Sequence, residues 1–395
     1  MTGGFRQSGV QRVADALARH VDAGRLPGAV FGIARADRSE VHAVGRVALD
    51  GPVMPRDALF RITSMTRPIT AIATLILVDQ GLLSLDEPVD HHLPELANRQ
   101  VLRRVDGPVD DTVPAERPIT VRDLLTFRAG FGMILAPAGG YPVLEVEEEL
   151  GLRSAGPPFP RTSLGPDEWM RRMGTLPLMD QPGTQWRYST GSMILGVLIA
   201  RVTKQPLESF YRNAIFDPLG MNETGFTVPV EGANTRLPSC YQYRDGGLEP
   251  FDDGGTWTQP PAFPDGGGGL ISTVGDYLAF AGMILNRGSH GGERLVSPGL
   301  IAEMTTDQLS AAQRASAGII LGDRGWGFGL SILQPPAPPS RGPKGYGWSG
   351  GFGTVWLNDP EDDLVAVLCT QLLASEASFA IEADFWAALY DALEA

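Results

Sequence analysis

Hydrophobic residues follow a helical period near the start of the chain and a strand period at both ends. An amphipathic helix is predicted over residues 8–24, where the apolar positions share one face. A hairpin is predicted next, from strands at 29–35 and 40–46 with a polar turn between them. Near the C-terminus we expect adjacent antiparallel strands and a final helix, over residues 325–332, 345–357, 363–369 and 375–394.

The middle of the chain is predominantly helical. Residues 60–78 predict a short strand that turns into a helix, apolar on most faces and therefore buried. Residues 97–117 and 227–265 are predicted to be irregular. Residues 130–166 are rich in Gly and Pro, which predicts a long loop that covers a pocket. Further helices are predicted at 119–126, 166–174, 191–203, 207–216 and 274–286.

Strands at both ends with helices between them predict an α+β protein. We expect one mixed antiparallel sheet, assembled from both termini and flanked by helices, with a helical insertion. Residues 1–62 and 266–395 are assigned to the sheet-containing domain. Residues 63–265 are assigned to a mainly helical domain that carries the lid loop 130–166.

Composition narrows the classes of function. A formal net charge of −14 argues against nucleic acid or an anionic membrane as a partner. No run of about 18 apolar residues predicts a membrane span, and no apolar segment at the N-terminus predicts a signal peptide. Two cysteines, Cys240 and Cys369, lie far apart in the sequence, which favours a reduced, cytoplasmic protein. No metal-ligand spacing occurs, so we expect neither a metal nor another cofactor.

Ser64 is a candidate nucleophile because of its place at a helix N-terminus. Pro68 fits only near the start of a helix, which puts Ser64 where free N–H groups favour developing negative charge. Arg67 follows three residues later and can share a face with it. The alternative is that Ser64, Thr63 or Thr66 only caps the helix, and this stretch alone favours capping.

A second serine motif lies near the C-terminus. Residues 347–351 match G-x-S-x-G, the nucleophile elbow of α/β-hydrolases, with Ser349 at its centre. That motif needs a helix directly after it and a later histidine. The residues after Ser349 are strand-like, and no histidine follows His290. We therefore reject Ser349 as the nucleophile.

Three separated stretches together resemble the serine β-lactamase and penicillin-binding-protein superfamily. Ser64-Met65-Thr66-Arg67 stands at the place of S-x-x-K, Tyr188-Ser189-Thr190 at the place of Y-x-N, and Trp348-Ser349-Gly350 at the place of K-T-G. Their order and separations fit, and the resemblance covers roughly residues 8–390. Within the superfamily, Trp-Ser-Gly-Gly is most similar to class C-like carboxylesterases, the family VIII esterases.

The resemblance implies a role for each motif. Ser64 attacks an ester or amide carbonyl, activated by the residues at positions 67 and 188. The backbone N–H groups of Ser64 and Gly351 stabilise the oxyanion. Trp348 replaces a cation that binds a substrate carboxylate in β-lactamases, which favours neutral, apolar acyl esters. The other expected substrate-binding residues are Ser349, Gly350, Thr190, Phe127 and Tyr141.

Three positions depart from the family pattern. Arg67 replaces Lys, and a guanidinium cannot serve as a general base. As a fixed cation it would favour the phenolate of Tyr188, which is then our candidate base. Thr190 replaces Asn, which should impair the handling of β-lactams. Residues 127–130 read Phe-Arg-Ala-Gly where the family often has His-Thr-Ser-Gly.

The sequence predicts a serine hydrolase that cleaves carboxylic esters through acyl-Ser64, with Arg67 and Tyr188 assisting. Short or medium acyl chains would suit Trp348 and an apolar lid. The predicted lid residues are Met133, Ile134, Leu135 and Tyr141. One alternative is an acyltransferase of the same fold, and another is a ligand-binding protein that lost catalysis with its lysine. β-Lactamase activity ranks last.

Overall fold

A computed structural model describes residues 7–35, 38–134, 140–152, 164–229, 235–252, 254–333 and 342–394. A central sheet joins the two ends of the chain. Its seven strands are β1 Gly28–Arg35, β2 Arg38–Gly45, β11 Gly325–Trp326, β12 Ser331–Leu333, β13 Gly345–Gly350, β14 Thr354–Asp359 and β15 Leu364–Thr370. They lie in the order β11-β12-β13-β14-β15-β1-β2, and every neighbouring pair is antiparallel.

Four further pairs of short strands stand outside the central sheet among the described residues. They are β3 Phe60–Arg61 with β8 Ile271–Ser272, β4 Gln100–Leu102 with β5 Thr112–Pro114, β6 Cys240–Arg244 with β7 Gly247–Asp252, and β9 Ser289–His290 with β10 Glu293–Arg294.

Helices flank the sheet, and most of them lie between β3 and β11 along the sequence. They are α1 Gln7–Asp22, α2 Thr66–Asp79, α3 Val121–Leu125, α4 Pro142–Glu149, α5 Pro166–Met173, α6 Thr190–Thr203, α7 Leu207–Tyr211, α8 Asp217–Leu219, α9 Val274–Leu285, α10 Pro298–Met304, α11 Ala311–Ser316, α12 Gly318–Leu321 and α13 Glu376–Glu394. Helix α7 continues as a π-helical turn over Arg212–Phe216. No helix among these residues is both long and apolar enough to cross a membrane.

Alternation along the strands explains the layers. Phe31 and Leu368 pair across β1 and β15 and pack with α1 and α13 on one face of the sheet. Val30 and Val367 point to the other face, into the large core that includes α2 and α9. Successive strand residues face opposite sides, so a run buried on both sides is apolar throughout. The sheet built from both termini, and with it the predicted α+β class, is confirmed.

Several element boundaries differ from the prediction. The stretch 345–357 is a hairpin rather than one strand, because the chain turns at 351–353, where Gly353 has φ +74°. The stretch 325–332 is likewise divided into β11 and β12. The predicted irregular regions 97–117 and 227–265 hold the pairs β4–β5 and β6–β7.

The predicted lid loop 130–166 contains helix α4, which was expected to be loop. Pro142 begins the helix, Val143 and Leu144 are buried, and Glu145, Glu148 and Glu149 are exposed. Leu135 and the segments 135–139 and 153–163 lie outside the described residues. The two-domain division stays a prediction.

The β13–β14 hairpin makes a close backbone contact that a stability measurement can test. A Cβ on Gly350 would lie closer than 3.0 Å to Ile62 O and to both Thr63 Oγ1 and Thr354 Oγ1. We expect Gly350→Ala to lower the free energy of unfolding by about 1–3 kcal/mol through overpacking. The control is Gly351→Ala, where a Cβ meets nothing within 4 Å. Urea unfolding of both variants tests this, and equal stability would contradict the contact.

Candidate active site

Ser64 lies in a 3₁₀ turn, Thr63–Met65, that joins β3 to α2. It is the only residue between positions 58 and 77 that is not buried. Thr63 before it has φ 42°, a strained value for a β-branched residue. The hydroxyl of Tyr277 donates to Met65 O at 2.9 Å and fixes the other side of the turn. The fold thus exposes one hydroxyl from an otherwise buried segment.

The β13–β14 hairpin packs directly against this turn. Thr354 Oγ1 donates to Ile62 O at 3.3 Å, and Gly350 fits only because it has no side chain. At the hairpin turn, Gly353 N donates to Gly350 O at 3.1 Å. This closure leaves Gly351 beside the serine turn on the wall of a cavity.

Tyr188 lies above a buried cation. The guanidinium carbon of Arg67 is 4.4 Å from the centroid of the Tyr188 ring. Arg67 Nη2 donates to Ser189 Oγ at 2.9 Å. Ser189 has φ 92°, which is strained for a non-glycine residue, and it precedes the first residue of α6. The start of α6 is therefore held against Arg67 in a costly conformation.

The hydroxyl of Tyr188 receives a hydrogen bond from the indole of Trp348. Trp348 Nε1 donates to Tyr188 Oη at 2.9 Å. The two rings belong to an aromatic cluster whose other members are Phe127, Trp186 and Trp326. Phe127 is buried there and contacts Tyr188 edge-on, with centroids 5.8 Å apart. The cluster fixes the orientation of the phenol.

Arg67 is buried without a matching carboxylate. Its side chain has no ion pair within 4.0 Å among the described residues, and the residue is 4% exposed. Its Nε and Nη1 atoms are buried with no hydrogen-bond partner in the part of the chain described. Asp265 feels its charge from farther away: burial raises the pKa of the Asp265 carboxyl, while a Gly267 N–H and Arg67 oppose that rise.

One cavity of about 300 Å³ connects these groups. Two of the described residues that line the cavity are charged. They are Arg324, just before β11, and Glu382 on α13. The other lining residues are Ser64, Met133, Tyr188, Ile320, Trp348, Ser349, Gly350, Gly351, Gly353, Thr354, Val355, Leu368, Thr370, Ala374, Ser378 and Phe379.

The structure brings together six of the predicted site residues on this wall. They are Ser64, Tyr188, Trp348, Ser349, Gly350 and Gly351. Arg67 lies behind Tyr188 and is not part of the wall.

Three predicted substrate-binding residues lie elsewhere. Phe127 is in the aromatic cluster, Thr190 begins α6, and Tyr141 packs on the main core. Ser349 lies inside strand β13, so it does not stand on the strand-to-helix turn of a nucleophile elbow. Neither lysine lines the cavity, since Lys204 follows α6 and Lys344 pairs with Glu361 at 2.7 Å.

Sequence reasoning missed the contribution of the C-terminal helix and of Arg324. The cavity wall includes Ser378, Phe379 and Glu382, whose i, i+1, i+4 spacing places them on one side of a helix. All three lie within the predicted helix 375–394. Nothing local marks Arg324, because its approach to Trp348 depends on the pairing of β11, β12 and β13.

Comparison with known proteins agrees with this architecture. Protein Rv1367c of Mycobacterium tuberculosis is 37% identical over 363 residues, covering 89% of this chain and 87% of that protein. Esterase EstB of Burkholderia gladioli is 31% identical over 384 residues, covering 87% of this chain and 88% of its own. The solved structure of EstCE1, "a hydrolase with promiscuous acyltransferase activity", superposes with a TM-score of 0.81 at 25% identity, covering 97% of this chain and 99% of that one. The family model described as Beta-lactamase matches residues 13–391, so the chain belongs to the beta-lactamase family, as its three motifs indicated.

Proposed function

We propose that the protein is a serine hydrolase that cleaves carboxylic esters through an acyl-Ser64 intermediate. The observation that carries the proposal is one cavity bordered by Ser64, Gly351 and Tyr188, with the Tyr188 phenol held between Arg67 and the Trp348 N–H. The name of the relative EstB, an esterase, supports the same reaction class.

The first step is the attack of Ser64 Oγ on the ester carbonyl. The carbonyl oxygen gains negative charge as the tetrahedral intermediate forms. The backbone N–H groups of Ser64 and Gly351 are assigned to stabilise it, because both residues lie on the cavity wall. Gly351 has open space around its Cα, so no side chain there obstructs a substrate oxygen.

Tyr188 is assigned as the general base for this attack. Arg67 is permanently charged, and its place behind the phenol ring separates it from the cavity. The Arg67 guanidinium at 4.4 Å from the ring and the Trp348 N–H at 2.9 Å from the phenol oxygen fix the position of Tyr188 on the cavity wall. Arg67 is therefore a positioning and electrostatic residue, and the proton of Ser64 passes to Tyr188.

Breakdown of the intermediate reverses the proton transfer. Tyr188 returns the proton to the leaving alcohol, which departs and leaves the acyl group on Ser64. Tyr188 then deprotonates a water molecule, which attacks the acyl carbonyl. The bond from the acyl carbon to Ser64 Oγ breaks, Tyr188 returns the proton to Ser64, and the carboxylic acid is released. An alcohol in place of that water would give acyl transfer. The similarity to EstCE1, a hydrolase with promiscuous acyltransferase activity, favours acyl transfer as a second activity of the same site.

The acyl-enzyme is the species that tests the proposal. With p-nitrophenyl butyrate and an early acid quench, we expect the intact mass of the wild type to increase by one butyryl group and p-nitrophenol to be released. Ser64→Ala should give neither result. Ser349→Ala, which alters another serine of the cavity wall, should still form the adduct. No adduct on the wild type with several acyl lengths would overturn the assignment and favour a ligand-binding protein.

The base assignment predicts a change in rate. We expect Tyr188→Phe to lower kcat by about 10²–10⁴-fold, the usual contribution of a positioned general base. Trp348→Phe keeps an aromatic ring but removes the donor to the phenol oxygen. The phenol oxygen then loses a contact that positions it, so kcat should fall in Trp348→Phe by less than in Tyr188→Phe. Tyr243→Phe, on β6 away from the cavity wall, is the matched control. Unchanged turnover of Tyr188→Phe would contradict the role.

Arg67 has no ion pair within 4.0 Å among the described residues, which predicts that its buried charge costs stability. Replacing a whole buried ion pair by apolar side chains of similar volume is often neutral or stabilising by about 1–4 kcal/mol, and Arg67 has no ion-pair partner to lose. We therefore expect Arg67→Met to retain or gain stability while turnover falls.

The control is Arg61, equally buried at 4% exposure but paired with Asp252 at 2.5 Å and bonded to Pro238 O at 2.6 Å. Arg61→Met should cost about 3–5 kcal/mol, because it leaves a buried carboxylate without its cation. Urea unfolding measures both variants. Equal losses would show that Arg67 is a structural residue.

A further inference from the structure

Arg324 is held at the cavity wall by contacts that leave part of its guanidinium unused. Its Nε donates to Leu321 O at 3.0 Å and its Nη2 donates to Ile320 O at 3.4 Å, at the C-terminal end of α12. The guanidinium carbon lies 5.6 Å from the centroid of the Trp348 ring. These two hydrogen bonds and the ring contact orient the group beside the aromatic pair of the active site.

The remaining donors of Arg324 suit a carboxylate. A guanidinium has five N–H donors, and the two bonds to α12 use one on Nε and one on Nη2. Nη1 makes no hydrogen bond to the described residues, and no carboxylate there lies within 4.0 Å of the side chain. Adjacent donors on Nη1 and Nη2 form the planar fork that binds two carboxylate oxygens.

Glu382 is the opposing charge in the same cavity. Its Oε1 accepts a hydrogen bond from Trp386 Nε1 at 3.0 Å, which orients the carboxyl along α13. Burial raises the pKa of the Glu382 carboxyl, and the Trp386 bond and the charge of Arg324 oppose the rise. The two side chains interact across space without closing an ion pair, so Arg324 keeps its donors for another anion.

We propose that Arg324 binds a carboxylate of the substrate, so that the preferred esters carry a negative charge beyond the ester group. The inference rests on the proposed esterase function and names its substrate class. Trp348 connects the two sites, because its N–H bonds to Tyr188 and its ring lies against Arg324. The ester thus lies between Ser64 and Trp348 while its carboxylate reaches the guanidinium. This proposal replaces the expectation of neutral esters, which rested on the uncharged side chain of Trp348.

Matched esters and amides test this preference on either side of the ester bond. For the alcohol side the pair is 4-acetoxybenzoate and 4-acetoxybenzamide. For the acyl side it is monomethyl adipate and methyl adipamate. The measured quantity is the ratio of kcat/KM for the acid over the amide in each pair. In one of the two pairs, the one whose carboxylate can reach Arg324, we expect the wild type to prefer the acid by about tenfold to a hundredfold. That is the range expected for a hydrogen bond to a charged group.

Substitutions assign the preference to Arg324. Arg324→Gln should bring the ratio close to one, and Arg324→Lys should restore part of it, since an ammonium keeps the charge but loses the fork. Glu382→Gln removes the opposing charge and should increase the ratio. Arg12→Gln, an equal charge change at an exposed position of α1, should leave the wild-type ratio. A wild-type ratio near one in both pairs, or a ratio retained in Arg324→Gln, would overturn the proposal.

Binding without turnover separates this inference from the esterase proposal. Calorimetric titration needs no hydrolysis. It compares 4-hydroxybenzoate with 4-hydroxybenzamide, and adipate with adipamide. If no ester is cleaved but the acids bind more tightly than the amides in the wild type and not in Arg324→Gln, the esterase proposal fails and the anion site stands. If neutral esters are hydrolysed but acids and amides bind equally, the anion site fails and the esterase proposal stands.

Discussion

The site depends on a buried cation that has no carboxylate partner within 4.0 Å among the described residues. Burying an unpaired charge lowers the free energy of unfolding by roughly several kcal/mol unless nearby groups compensate the charge. Around Arg67 the compensation comes from the π face of Tyr188, the hydroxyl of Ser189 and the more distant carboxyl of Asp265. These groups are weaker partners than a direct carboxylate. The cation and the proposed base therefore form one unit, because the guanidinium lies directly against the phenol ring.

The second constraint is the approach of two backbones at Gly350. The strand that carries Trp348 and the turn that carries Ser64 come from distant parts of the sequence. Their contact, with a hypothetical Cβ closer than 3.0 Å to Ile62 O, leaves no room for a side chain. Because β13 and β14 are central strands of the sheet, the hairpin is held rigidly on both sides. Ser64 and Gly351 are thereby positioned by the core of the protein rather than by a loop of their own.

Sequence reasoning predicted the parts of this arrangement that local chemistry determines. The helix after Ser64 was predictable because Pro68 and the apolar run agree, and the sheet because both ends alternate. The hairpin at Gly351 was missed because apolar and aromatic residues continue on both sides of the turn, so period alone reads as one strand. Phe127 was assigned to the substrate by analogy, yet its ring fills the cluster behind Tyr188. Contacts between residues about 160 positions apart, such as Trp348 with Tyr188, follow from topology and carry no local signal.

Two arginines flank the aromatic pair Tyr188 and Trp348, one behind the cavity wall and one on it. Arg67, Tyr188, Trp348 and Arg324 form a continuous series in which each cation faces one ring and the rings share a hydrogen bond. At the inner end Arg67 is buried and is not among the residues that line the cavity. At the outer end the cation is part of the cavity wall, where water or a substrate anion can reach it. In the proposed reaction the buried arginine therefore acts on Tyr188 and the arginine on the wall acts on the substrate, and the indole of Trp348 lies between them.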